Sequence, residues 1–260
     1  MAKAKKSLGQ HFLTNPHTAL NIADAVNADA KTIIEVGPGP GILTEHILKR
    51  DAALTFIEKD DQFAANLKGK TTSLENVTVL NEDFLKVNLP SITSDPDSVI
   101  VGNFPYNISS QIVFRMLEHK DLFSELVGMF QLEMAKRIVS PPKSKEFGVI
   151  SVLTQASYYG ELLFHVPPEQ FTPPPKVNSA VIKLTRKEDY ELPCDEKWLR
   201  TVVKAAFNQR RKMLRNSLKA FFLDQPILDS ELFTRRPEQL DVEMFFELAN
   251  MAKEHSNSDI

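Results

Sequence analysis

In the stretch Val99-Ile100-Val101-Gly102-Asn103-Phe104-Pro105-Tyr106-Asn107, an apolar run rich in β-branched residues stops at an amide, an apolar residue, a proline and a phenol. These types suit one chemical role, which is to hold the exocyclic amine of a flat base beside a methyl donor. The Asn103 side chain offers one carbonyl acceptor, and the backbone carbonyl of Phe104 offers a second. Pro105 fixes φ and has no N–H, which stiffens the turn. Tyr106 presents a ring on which a base can stack. Two acceptors on one amino group draw its lone pair out of ring conjugation, so that the nitrogen can attack a methyl carbon. On these residues alone, an ordinary strand-to-helix turn with Tyr106 in the core is an equal reading.

Three further strand ends carry polar groups. Thr32-Ile33-Ile34-Glu35-Val36 runs into Gly37-Pro38-Gly39-Pro40-Gly41, and apolar Ile42, Leu43, Ile47 and Leu48 predict a helix next. A dinucleotide fingerprint requires a third glycine at position 42, where this chain has Ile. The pattern fits a nucleoside cofactor without pyrophosphate, S-adenosylmethionine, whose methionine part the glycines let the backbone approach. Glu35 is placed to attract its ammonium group. The strand Leu54–Ile57 ends in Glu58, placed for two ribose hydroxyls. Asp60 and Asp61 fit the start of the next helix. Val77–Leu80 ends in Asn81-Glu82-Asp83-Phe84, an acceptor and a ring suited to adenine. Four polar strand ends in succession predict an open parallel sheet with its ligands outside the carboxyl ends.

Asn15-Pro16 reads as a helix start, with Pro at the first helical position, and Gln10-His11-Phe12-Leu13 before it as a loop laid over something. Ile108–His119 and Val149–Tyr158 are expected helices. Leu126–Leu132, Glu161–Val166 and Ala180–Leu184 are expected strands, and residues 141–147 a loop. Phe171-Thr172-Pro173-Pro174-Pro175-Lys176 is a stiff extended segment. It either presents Phe171 as a stacking platform opposite Tyr106, with Lys176 near a phosphate, or is a surface connection with Phe171 in the core. The composition changes over Arg186–Pro193, and beyond it Trp198–Phe207, Arg211–Phe222 and Val242–Lys253 read as helices. The expected division is 1–188 and 189–260.

The 260 residues suffice for a full α/β domain and a smaller one. The chain lacks an apolar run long enough for a bilayer and the apolar segment of a signal peptide. Cys194 is the only cysteine, which excludes an intrachain disulfide and fits a reducing compartment. The histidines have no metal-ligand spacing, so no metal is expected. A formal net charge of −3 gives no global sign of nucleic-acid binding. The basic residues are nevertheless clustered: Lys3, Lys5 and Lys6 open the chain, and Arg210, Arg211, Lys212, Arg215 and Lys219 form a block free of acidic residues. Local patches decide where phosphates bind.

Several segments together resemble the ribosomal RNA adenine dimethyltransferase family, in particular its bacterial small-subunit branch. They are Gly9–Leu13, Glu35–Gly41, Glu58, Asp83, Asn103–Tyr106, Phe171–Ser179 and Phe207–Leu218, spread over nearly the whole chain. The last two are the specific ones and favour this branch over resistance methylases acting on large-subunit RNA. The resemblance implies an α/β, Rossmann-like methyltransferase domain with a smaller C-terminal all-helical RNA-binding domain. It implies S-adenosylmethionine contacts at His11, Leu13, Gly37, Glu58, Asp83 and Asn103. Methyl transfer falls at Asn103, Phe104, Pro105 and Tyr106, with Phe171 stacking on the base and Arg210, Arg211, Lys212 and Arg215 on RNA. The implied substrate is a pair of adjacent adenines in the 3′-terminal hairpin loop of 16S rRNA, within the immature small subunit. A cytoplasmic monomer is expected. This chain departs from the family at position 104, Phe where Leu is usual, and at position 11, His where Asn is frequent. The rival readings are an assembly factor whose main work is binding, a DNA adenine methylase, and, least of all, a nicotinamide dehydrogenase.

Overall fold

The four apolar runs that end in polar residues are all strands and lie side by side. The structure is a computed structural model and describes residues 9–188, 190–222 and 225–255. Lys3, Lys5 and Lys6 lie outside the described residues. The chain divides into two units, one of residues up to Ala135 with Gly160–Arg186, the other of Lys136–Tyr159 with residues from Lys187 onward.

In the first unit β1 (Phe12–Leu13) precedes α1 (Pro16–Ala25), which Asn15 caps by accepting from the N–H groups of His17 and Thr18. Then follow β2 (Thr32–Val36), the single-turn α2 (Thr44–Ile47), β3 (Ala53–Ile57), α3 (Asp61–Thr71) and β4 (Val77–Leu80). Asp60 caps α3 by accepting from Gln62 N–H. β5 (Ser98–Asn103), α4 (Ser109–Glu118) and β6 (Phe123–Gln131) complete the parallel part. The helix expected after the glycine turn is thus only four residues long.

The chain passes into the second unit within α5 (Leu132–Val139), continues as α6 (Val149–Ser157) and returns within β7 (Tyr158–Val166). β8 (Phe171–Thr172) pairs antiparallel with β1, and β9 (Ser179–Arg186) closes the first unit. The main sheet has seven strands in the order β4-β3-β2-β5-β6-β9-β7. Neighbours from β4 through β6 are parallel, and β9 is antiparallel to β6. Ile33, Ile34, Phe56, Ile100 and Val101 are buried on both faces, as the continuous apolar runs require. Each such side chain contributes about 2 kcal/mol by leaving water.

In the second unit α7 (Glu196–Asn208) is capped by Asp195 and packs on α6 and on α10 (Val242–His255). Between them lie the short α8 (Leu214–Ser217) and α9 (Glu231–Thr234). Two expectations are corrected here. The division at residue 188 leaves out Lys136–Tyr159, which belong to the helical unit. The cause is α6, buried from Ile150 through Thr154 and again at Ala156 and Ser157, a helix buried nearly all round that needs neighbours on most sides. The expected helix Arg211–Phe222 is only the turn α8 and a 3₁₀ turn at Lys219–Phe221. A turn closed by Lys212 N–H on the Gln209 carbonyl, 2.7 Å, holds Arg211 and Lys212 outside any helix.

No helix of the described residues is long and apolar enough to cross a membrane.

Candidate active site

The carboxyl ends of β2, β3 and β5 and the segment after β4 surround a cavity of about 130 Å³. Its lining includes His11, Leu13, Glu35, Gly37, Gly39, Glu58, Lys59, Asp83 and the whole run Asn103–Ile108. Every cofactor residue expected from the sequence therefore faces one space. Gly37 and Gly39 take φ values of +70° and +53°, a region a β-carbon makes costly. The bend turns their backbone over the end of β2.

Glu58 fastens this turn. One carboxylate oxygen accepts from Gly39 N–H at 2.8 Å, the other from Asp60 N–H at 2.7 Å. The carboxylate keeps acceptor capacity for a further donor. Burial pushes the Glu58 carboxyl up; the N–H groups of Asp60, Gly39 and Lys59 oppose this, and the charge of Asp60 adds to it. Glu35 lies deeper. Thr44 Oγ1 donates to its Oε1 at 3.1 Å, while Oε2 is buried without a partner among the described residues. Burial pushes this carboxyl up to about 8, the Thr44 bond opposing and the charge of Glu58 adding. An orphaned buried oxygen fits a site that takes a cationic donor group.

Asp83 Oδ2 meets Lys59 Nζ at 2.8 Å, and Oδ1 accepts from Leu85 N–H at 3.0 Å. Burial would raise the Asp83 carboxyl, but these two bonds and the lysine charge outweigh it and hold it below the usual range. Lys59 was not expected from the sequence. Only the pairing of β3 with β4 brings it beside Asp83.

At the end of β5, Asn103 Nδ2 donates to the His11 carbonyl at 3.0 Å. That bond fixes the amide and leaves Oδ1 as a free acceptor among the described residues. The Tyr106 ring stacks on His11, with centroids 5.4 Å apart and planes at 24°. Its hydroxyl bonds Ser179 Oγ at 2.5 Å. Burial pushes the Tyr106 phenol up, with the Ser179 bond opposing. His11 Nδ1–H donates to the Pro173 carbonyl at 2.8 Å. The Gln10–Leu13 segment is thus tied to the proline segment by this bond and by the β1–β8 pairing. Ser179, at the end of that segment's motif, was the available signal for the phenol's partner.

One expected role, that of Phe171, is corrected, and Arg210 is found engaged within its own unit. Phe171 is only 3% exposed, does not line the cavity, and sits in the core with Leu13, Val166 and Val181. β8 pairs Phe171 with Leu13, and strand alternation sends Phe171 inward and Thr172 out. Arg210 is not a free cation. It pairs with Glu238 at 3.7 Å and donates to the carbonyls of Ser144 and Lys145, clamping the 141–147 loop within its own unit. Arg211, Lys212 and Arg215 are exposed. Phe104 is 1% exposed, so only its backbone can face a substrate. No group of metal-ligating side chains occurs among the described residues.

A sequence model of the family described as ribosomal RNA adenine dimethylase matches residues 1–252. The chain is 48% identical over 256 residues to a ribosomal RNA small subunit methyltransferase A of Bacteroides thetaiotaomicron, covering 98% of this chain and 96% of the relative. To the protein of the same name from Flavobacterium johnsoniae it is 49% identical over 247 residues, covering 95% and 94%. Among solved structures, a dimethyladenosine transferase from Plasmodium falciparum superposes with a TM-score of 0.80 at 23% identity, covering 94% of this chain and 98% of that one. The 23S rRNA methyltransferase ErmE gives 0.67 at 26%, covering 92% and 99%.

Proposed function

The chain belongs to the ribosomal RNA adenine dimethylase family and is an S-adenosylmethionine-dependent rRNA adenine dimethyltransferase; we propose that Asn103–Tyr106 is where its methyl transfer takes place. The observation that carries this reading is the fixed Asn103 amide. With Nδ2 committed to the His11 carbonyl, Oδ1 can only accept, and an adenine amine is a donor. The Phe104 carbonyl is the second acceptor, on the next residue of the chain. Tyr106, one face against His11, offers a base its other face.

Bound S-adenosylmethionine supplies a methyl carbon made electrophilic by a sulfonium. Glu58 and the Gly37–Gly39 backbone hold its ribose and methionine parts, and Glu35 attracts the ammonium. Asp83, oriented by Lys59 and Leu85, accepts from the cofactor's adenine amine. Asn103 and Phe104 orient the target N6 for in-line attack, so positioning supplies most of the acceleration. Once methylated, the nitrogen is acidic and gives its proton to solvent.

The substrate is a pair of adjacent adenines in the 3′-terminal hairpin loop of 16S rRNA, within the immature small subunit. Loop bases cost little to unstack. Exposed Arg211, Lys212 and Arg215 meet backbone phosphates, and the enzyme acts as a cytoplasmic monomer.

The test incubates wild type and Asn103→Ala with labelled S-adenosylmethionine and unmethylated small subunits, then maps the modified nucleotides. The expected result is two dimethylated neighbouring adenines for wild type. For the variant, turnover is nearly abolished while cofactor affinity changes only a few-fold, as for an interaction made in the transition state. Normal dimethylation by the variant would refute the role of Asn103. Label elsewhere in the RNA would refute the substrate.

A further inference from the structure

Phe104 fits its place only because two neighbouring residues have no side chain. Gly102 and Gly128 stand opposite each other in the β5–β6 register, and the Phe104 ring lies where their β-carbons would be. A methyl added at Gly128 would overlap Phe104 Cε2 outright and lie 2.8 Å from Cδ2 and 2.9 Å from Cζ. A methyl added at Gly102 would lie 2.7 Å from Cε1 and 2.9 Å from Cδ1, and also 2.7 Å from the Val36 carbonyl oxygen. The ring meets Phe130 edge-on, with centroids 5.2 Å apart and planes at 73°, and it is fully buried. Neither glycine has a positive φ, so no turn or backbone strain explains them. The explanation is space.

We infer that Gly128 is a positioning residue: with Gly102 it forms a slot that seats the Phe104 ring and thereby aims the two acceptors, Asn103 Oδ1 and the Phe104 carbonyl, at the target amine. Phe104 is anchored at its ring and continues rigidly into Pro105. Any displacement of the ring therefore moves the carbonyl that its own backbone carries. Gly128 touches no part of the cavity and acts only through Phe104. The two glycines differ in a way that can be tested. The contacts of Gly128 are all with the ring, whereas Gly102 is also confined by backbone. The inference rests on Asn103–Tyr106 being the transfer site.

The experiment compares Gly128→Ala, Phe104→Leu, the Gly128→Ala/Phe104→Leu double variant, Gly102→Ala with and without Phe104→Leu, and Asn103→Ala. Each is assayed for kcat, for KM of the donor and for thermal unfolding. Gly128→Ala should lower kcat on the order of 100-fold, as expected for a displacement of about 1 Å at the reacting groups. The donor KM should stay within about two-fold, since Glu58, Asp83 and the Gly37–Gly39 turn are untouched.

Leucine has no atoms beyond Cδ, so the overlap with Cε2 and the contact with Cζ both vanish. The double variant should therefore recover to within about ten-fold of wild type, a coupling that independent sites would not give. Phe104→Leu should not rescue Gly102→Ala, which still meets the Val36 carbonyl. Unchanged kcat in Gly128→Ala, no recovery in the double variant, or equal rescue of both glycine variants would each overturn the inference. If Gly128→Ala fails to fold, the double variant decides: folded and active supports the slot, and anything else refutes it. An active Asn103→Ala would sink the transfer site itself. An inactive one beside a wild-type-like Gly128→Ala would sink only the slot.

Discussion

Glu35 gives the sharpest quantitative expectation. Its carboxyl lies beneath the glycine turn with one oxygen bonded to Thr44 and the other unpartnered, and burial moves it from 4.5 to about 8. In the unfolded chain it loses its proton near 4.5, while in the folded apo protein it keeps it to about 8. Through that window the folded state binds one proton more, so stability must fall as pH rises. The contribution is fully present below 4.5 and lost above about 8. Eight less 4.5 is about 3.5 pH units, and at about 1.4 kcal/mol for each the full loss is about 5 kcal/mol. Glu35→Gln removes the titration while keeping an oxygen for the Thr44 hydroxyl. Wild type and variant are unfolded in denaturant at about pH 5 and about pH 8.5 without cofactor, on either side of most of that window. The probe is amide exchange in β2 and β3, because Trp198, the only tryptophan, lies in the other unit. Wild type should lose several kcal/mol more than the variant across the interval, or on the order of 10 °C in melting temperature for a chain this size. Parallel pH curves would mean that the folded protein holds Glu35 ionised, and the argument from burial would fail.

Phe171 and the exposed cations of the second unit yield two further predictions. Phe171→Ala should cost about 3–5 kcal/mol, as for a core phenylalanine, while Phe171→Leu should keep most methyl transfer; loss of activity in a stable Leu variant would restore the stacking role. Replacing Arg211, Lys212 and Arg215 with alanine should weaken rRNA binding and flatten its salt dependence by about one logarithmic unit of slope per lost phosphate contact, with kcat on saturating subunits preserved. An unchanged salt slope would place the RNA elsewhere.

What could be read from the chain was whatever local periodicity and strand-end chemistry encode. The four parallel strands β2 to β5, the Asn15 and Asp60 caps and the polar residues just past each strand follow from neighbours in sequence. The expectations that failed depended on partners far along the chain. Phe171 before three prolines faces in or out according to which strand β8 pairs with, and its partner β1 lies near the other end of the same unit. Leu214, Leu218 and Phe222 have genuine helical spacing and are buried, yet one turn satisfies that burial when the Gln209–Lys212 turn comes first. Lys136–Tyr159 resemble part of the sheet domain in composition. Only the packing of α6 on α7 and α10 shows which core they complete. Gly128 is one glycine inside a strand, a pattern that signals close approach without naming what approaches.

The charges around the cavity bear on why Ile42 stands where a dinucleotide fold has glycine. Of the charged groups lining the space, Glu35, Glu58, Glu82 and Asp83 are acids and Lys59 alone is a lysine or arginine, already paired with Asp83. A pyrophosphate placed against the glycine turn would meet the Glu58 carboxylate, which already takes the Gly39 N–H, one of the donors an anion would need there. A cation meets the reverse: the Glu58 carboxylate and an unpartnered Glu35 oxygen that gains from a positive neighbour what burial took away. Proton affinity and cofactor affinity at Glu35 are therefore in competition. Whatever holds the carboxyl protonated in the apo protein must yield when a positively charged group binds beside it, and binding of the donor near neutral pH should release a proton. Isothermal titration in two buffers of different ionisation enthalpy reads that proton directly; identical heats in both would show that the cation does not reach Glu35.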